Sequence, residues 1–138
     1  MSQLQQDSPR AEPWQNQDAG KWNDWRWQLK NRVRTLSGLE SWMHITNDER
    51  DCFDAAAEIF PVAMTPYYAS LMDPEDATCP IRRQSLPLPG ELEVLSDETD
   101  DPLAEEQYMP VPGITHRYPD RVLLYSTHNC PVYCRHCN

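Results

Sequence analysis

The sequence predicts an α/β protein: a mainly helical N-terminal region, then a first β-strand that leads directly into a cysteine loop. Three observations point that way. Apolar side chains recur at intervals of three and four between Trp22 and Leu36, the pattern of an amphipathic helix. Thr46-Asn-Asp-Glu49 matches a capping box, in which the Thr hydroxyl and the Glu carboxylate each satisfy an otherwise unpaired backbone N–H. Val122 to Thr127 is a short apolar run of β-favouring residues, bounded by Pro119-Asp120 and Asn129.

Composition limits what these elements can build. A chain of 138 residues suffices for one domain, but 13 prolines, 39% hydrophobic residues and a mean hydropathy of -0.76 predict a small core and a loose, partly helical body. With 12 basic against 22 acidic residues the net charge is -10, which repels nucleic-acid phosphates and anionic lipid surfaces. Neither nucleic acid nor membrane is an expected partner. No apolar run approaches the roughly 20 residues of a membrane span, and the polar, Gln-rich start lacks the apolar segment of a signal peptide, so a cytoplasmic location is expected.

Residues 1–20 hold five Gln with Pro9 and Pro13 and few large apolar side chains. They cannot bury enough surface to offset the entropy of ordering and read as a disordered tail that Trp14 could anchor. A helical region spans 21–73. In it Trp22, Trp25, Leu29, Val33 and Leu36 form one stripe that ends near Ser37-Gly38, while Arg26, Lys30, Arg32 and Arg34 make the other faces basic. This arm could be a nucleic-acid or partner surface, but the acidic net charge favours tryptophans packed on the body or on a second subunit.

The capping box opens a helix from about Asn47 to Phe60 with Cys52, Ala55, Ala56, Ile59 and Phe60 inward, and Pro61 ends it. Thr65-Pro66 reads as an N-cap with proline at the first helical position, opening a short helix through Leu71 that stops at Asp73-Pro74. Residues 74–115 read as a Pro-rich and acidic linker. Arg82 and Arg83 there could clamp a phosphate or carboxylate, or make an interdomain salt contact. Glu91 to Glu106 holds eight carboxylates and reads as a solvated stretch without chemistry. Val122 to Thr127 fits a strand buried on both faces.

Five cysteines is an odd number, and three of them lie within eight residues as Cys130-Pro-Val-Tyr-Cys134-Arg-His-Cys137. That argues for metal binding in a reducing compartment over a disulfide framework. Cys52 and Cys79 read as packed thiols. C-x3-C-x2-C can hold three irons of a four-iron cluster and leave the fourth open, thiolates being the usual cluster ligands. Zinc is the rival, with His136 or His128 as a fourth ligand, but adjacent His136 and Cys137 fit one ion poorly and no second half-site is present.

Beyond the cysteine loop, Trp25-Arg-Trp-Gln-Leu-Lys30, Thr65-Pro-Tyr-Tyr68, Cys79-Pro-Ile-Arg-Arg-Gln84, Pro112-Gly113 and His116-Arg-Tyr-Pro-Asp-Arg121 occur in an order that resembles the lysine 2,3-aminomutase family of radical S-adenosylmethionine enzymes, which includes glutamate 2,3-aminomutases. The resemblance runs from about Trp22 to the last residue. It implies a partial (β/α) barrel starting within 116–138, with the N-terminal helices helping to interlock subunits of a homo-oligomer. It implies Cys130, Cys134 and Cys137 as ligands of a [4Fe-4S] cluster, His136 beside S-adenosylmethionine, and Arg117, Tyr118 and Arg121 near pyridoxal phosphate. The implied reaction is migration of the amino group of a small amino-acid substrate from C2 to C3, started by a 5'-deoxyadenosyl radical and fed by an external one-electron reductant. A relative acting in elongation-factor β-lysylation, or a small zinc or electron-transfer module, are the alternatives. The family continues past the third cysteine with Thr and a basic run where this chain has Asn138, and its pyridoxal lysine lies downstream. The chain is therefore expected to be the truncated N-terminal portion of such an enzyme, inactive alone.

Overall fold

The computed structural model describes residues 12–93, 95–96, 98–99, 101–127 and 129–137. Most of the expected tail, together with His128 and Asn138, lies outside them. The chain divides into two compact units, one of Met1–Glu93 with Pro131–Cys137 and one centred on Val94–Cys130. Among the described residues no helix is long and apolar enough to cross a membrane.

In the first unit the expected Trp22-to-Leu36 helix is broken into three: α1 (Ala19–Trp22), α2 (Trp25–Lys30) and α3 (Leu36–Glu40). Short polar side chains cause the breaks. Asp18, Asp24 and Thr35 each turn back to accept from a backbone N–H of the next turn, on Lys21, Arg26 and Gly38 respectively, at 3.0, 2.9 and 3.2 Å. Each restart competes with continuing the helix. The stripe is split with it: Trp22 is buried while Trp25 is 60% exposed. Trp14 does anchor its segment, with its ring 6.4 Å from that of Trp22 and 5.5 Å from that of Trp42.

Helix α4 (Asn47–Ile59) starts at the expected capping box, and α5 (Pro66–Ala69) at Thr65. The inward face of α4 differs from expectation: Cys52, Phe53 and Ala56 are buried, whereas Ala55 and Ile59 face solvent. The Pro-rich loop after residue 74 is partly ordered, with α6 (Pro80–Arg83) and a 3-10 turn at Pro89–Leu92. The core gathers Leu39, Met43, Ile45, Phe53, Val62, Met64, Ala69, Met72 and Leu86.

Arg82 is fully buried. Its guanidinium donates to both carboxylate oxygens of Glu49, from Nε at 2.8 Å and from Nη2 at 2.6 Å, and Nη2 also donates to the His44 carbonyl at 2.6 Å. Glu49 is the same carboxylate that closes the capping box, accepting from the Thr46 backbone N–H at 2.8 Å. Burial pushes the Glu49 carboxyl up, but the bonds from Arg82 and Thr46 outweigh it and hold its pKa below the usual value. Of the two readings for Arg82 a salt contact is the one made, but it is not interdomain as expected: Glu49 and Arg82 belong to the same unit.

The second unit holds a two-stranded antiparallel hairpin, β1 (Ile114–Tyr118) and β2 (Arg121–Leu124), with Ile114 opposite Leu124 and Tyr118 opposite Arg121. This corrects the expected buried strand over Val122 to Thr127. The strand ends at Leu124, and Val122, Leu123 and Leu124 are 53%, 53% and 65% exposed. The apolar run is real, but among the described residues its strand partner is β1, turned back through Pro119-Asp120.

Candidate metal-ligand loop and anion cavity

Three short extended segments in the first unit lie side by side. Met64 forms antiparallel bridges with Val33 on one side and Val132 on the other. Thr65 N–H donates to the Pro131 carbonyl at 3.0 Å and Tyr133 N–H to the Ala63 carbonyl at 2.8 Å. The segment entering the C-x2-C half of the motif is thus stitched to a fully buried strand residue, since Met64 has no exposed surface.

Past Tyr133 the backbone turns. Cys137 N–H donates to the Cys134 carbonyl at 3.0 Å, so Cys134 and Cys137 occupy the first and last positions of one tight turn. Cys134 is half-buried, and His136 and Cys137 are exposed. Between them Arg135 points inward. Its backbone N–H donates to the Gln84 carbonyl at 2.7 Å, its Nη1 donates to the Phe60 carbonyl at 2.6 Å, and its Nε donates to Glu91 at 2.7 Å. Nη2 adds a second bond to the same carboxylate, and the guanidinium lies 5.0 Å from the Phe60 ring centroid. A cavity of about 270 Å³ opens beside Cys137, floored by Ala56, Ile59 and Phe60.

Cys130 is exposed and falls within the second unit. Among the described residues no group of three or more His, Cys, Asp or Glu is gathered to hold a metal ion. The donor set still fits an iron-sulfur cluster chemically: three thiols, two of them presented by one turn.

The other expected site residues do come together. Arg117, Tyr118 and Arg121 line a cavity of about 390 Å³ in the second unit, with Glu105, Thr115, Val122 and Leu123. The Arg121 guanidinium lies 4.8 Å from the Tyr118 ring centroid. Arg117 Nη1 donates to the Leu103 carbonyl at 3.1 Å and its guanidinium lies 5.6 Å from the Tyr108 ring centroid. Two cations and a flat ring beside an open cavity can bind an anion attached to an aromatic system. Glu105 on the same wall accepts from the Tyr125 hydroxyl at 2.8 Å, and that bond raises the Tyr125 pKa.

Sequence reasoning missed Arg135 and Glu91. Glu91 falls in the acidic stretch that reads as solvated, yet it holds Arg135 and accepts from Leu88 N–H at 3.1 Å. Arg135 directly follows Cys134 in the loop, but its partner Glu91 lies 44 residues away and no local pattern marks the pair. The two other cysteines are core residues. Burial raises the pKa of the Cys52 thiol, whose hydrogen reaches the Glu49 carbonyl. At Cys79 burial acts the same way but is outweighed by N–H groups of Asp73, Arg82 and Ile81, and the pKa falls.

No family model matches the chain. It is 48% identical over 126 residues to an L-lysine 2,3-aminomutase of Bacillus subtilis, a match covering 91% of this chain and 27% of that protein. A second L-lysine 2,3-aminomutase, from Clostridium subterminale, is 47% identical across 84% of this chain and 28% of its own length. A glutamate 2,3-aminomutase from Clostridioides difficile is 40% identical across 84% of this chain and 27% of its own. The chain spans little more than a quarter of the length of these curated relatives.

Proposed function

Because the chain belongs to the lysine 2,3-aminomutase family, we propose that it is part of a cytoplasmic enzyme that shifts the amino group of an α-amino acid, lysine or glutamate, from C2 to C3. The observation that carries this reading is the match of 40–48% identity to aminomutases of both substrate types, along a chain that ends in the C-x3-C-x2-C loop. Cys130, Cys134 and Cys137 would hold a [4Fe-4S] cluster. His136, exposed on the turn between two of them, would lie beside S-adenosylmethionine. Arg117 and Arg121 would neutralise the phosphate of pyridoxal phosphate, with Tyr118 against its ring. When bound, the cluster and S-adenosylmethionine supply a radical initiator and the pyridoxal group steadies the migrating amine.

The residues of this chain bind and orient. The Cys134–Cys137 turn presents two thiols on one backbone unit, and Arg135 holds that turn against the helical unit. The two arginines of the hairpin supply fixed positive charge beside an aromatic surface. Since the chain covers about a quarter of its relatives, the 138 residues are expected not to turn over alone, and the working enzyme is expected to be a homo-oligomer taking electrons from an external donor.

Anaerobic reconstitution with iron and sulfide tests the reading. Iron-sulfur charge-transfer absorption that is lost in Cys134→Ala and Cys137→Ala is the expected result. Tightly held zinc, with no such absorption, would overturn it.

A further inference from the structure

Arg135 stands between two of the cysteines, in the middle of their turn, but its side chain runs the other way, into the helical unit. Only 8% of that side chain is exposed, against 28% for its partner Glu91. It makes four contacts there: two bonds to the Glu91 carboxylate, one to the Phe60 carbonyl and one from its own backbone N–H to the Gln84 carbonyl. Phe60 is the C-cap of α4, and its N–H is already bonded to Ala56. Its carbonyl therefore belongs to a fixed helix end, and Glu91 belongs to the 3-10 turn that follows the Pro-rich segment. A planar guanidinium that satisfies a carboxylate and a carbonyl at once has little freedom to swing.

We infer that Arg135 is a positioning residue for the cysteine loop: by locking the turn between Cys134 and Cys137 to Glu91 and to the end of α4, it fixes where those two thiols stand before any cluster is bound. The inference deepens the proposed function and rests on it for the identity of the cluster, but the locking itself is a property of the metal-free chain. Groups that orient metal ligands without touching the metal commonly change metal retention about 10–100-fold when removed. Arg135→Met keeps the aliphatic stem and removes the fork. Glu91→Gln keeps the shape and removes the charge. Arg50→Met, which breaks the exposed Arg50–Glu40 pair elsewhere in the same unit, is the control.

Two measurements separate the outcomes. In the metal-free chain, alkylation followed cysteine by cysteine by mass spectrometry is expected to speed up severalfold at Cys134 and Cys137 in R135M and E91Q. Cys52 and Cys79 should keep their slow wild-type rates, and R50M should match wild type throughout. If no thiol changes, or if all four accelerate together, the locking role is overturned. After reconstitution, the half-time of iron retention against a chelator is expected to fall about 10-fold in R135M and to recover part of the loss in Arg135→Lys, which keeps the charge but not the fork. Equal retention in R135M and wild type overturns the role toward the cluster. Failure of the wild-type chain to take up iron and sulfide would sink the proposed function and leave the alkylation result to decide the locking on its own.

Discussion

Met64 and Val132 are bridged as neighbouring antiparallel strand residues, so the segment that carries two of the three clustered cysteines is held by the most deeply buried extended residue of the helical unit. Loop position and core packing are therefore one problem. Met64→Ala removes a side chain with no exposed surface and should destabilise the unit by about 2–5 kcal/mol. Denaturant unfolding measures the loss, and native-state proteolysis should show Pro131–Cys137 cut earlier in the variant. Unchanged protection of that segment would show that it is held by something else.

The Glu49–Arg82 pair predicts a strong asymmetry between single and double substitutions. Arg82→Met alone leaves a buried carboxylate without its cation and should cost about 3–5 kcal/mol. The double variant Glu49→Gln with Arg82→Met should cost less than the sum of the singles, because no uncompensated charge remains. A double-mutant cycle gives the coupling, and strict additivity would rule out the pairing.

Acid sensitivity follows from the same carboxylate. Its pKa is lower in the folded chain than the ordinary 4.5, so the unfolded chain binds the proton more readily. The stabilisation is fully present above the ordinary carboxylate value and is lost as pH falls through the depressed one. Stability of the wild-type chain should therefore decline below about pH 4.5, and Glu49→Gln should flatten that part of the profile. A wild-type curve that is flat there would contradict the shift.

The hairpin should be the weaker unit. A two-stranded ribbon is marginal in water, and every residue of β2 is exposed, whereas α4 buries Cys52, Phe53 and Ala56. Hydrogen exchange should run faster at the β1 and β2 amides than in α4. Its apolar edge is also a template for pairing, so Leu123→Lys should raise solubility without speeding exchange in α4.

What the sequence made legible were features written in adjacent residues. Thr46 and Glu49 specify a helix start through their own two hydrogen bonds, and Thr65-Pro66 does the same for α5, so both appear as expected. The stripe from Trp22 to Leu36 misled because apolar spacing says nothing of the polar residues between. Asp24 and Thr35 use that freedom to cap new helices. Arg135 and Glu91 are 44 residues apart, and no local pattern links them. The hairpin was missed for a related reason: β1 carries His116, Arg117 and Tyr118 in a row, with no apolar alternation to announce it, and it is shaped by pairing with β2. Of the site residues, the three hairpin side chains share a cavity, while Cys134 and Cys137 close one turn of the helical unit.

All five tryptophans, at positions 14, 22, 25, 27 and 42, lie in the helical unit, and the hairpin unit carries tyrosines at 108, 118 and 125 but no indole. Tyrosine does not single out the hairpin, because Tyr67, Tyr68 and Tyr133 lie in the helical unit. Excitation at the red edge of the absorption band, which tyrosine barely absorbs, reports on the helical unit alone, so its unfolding can be followed without attaching any label.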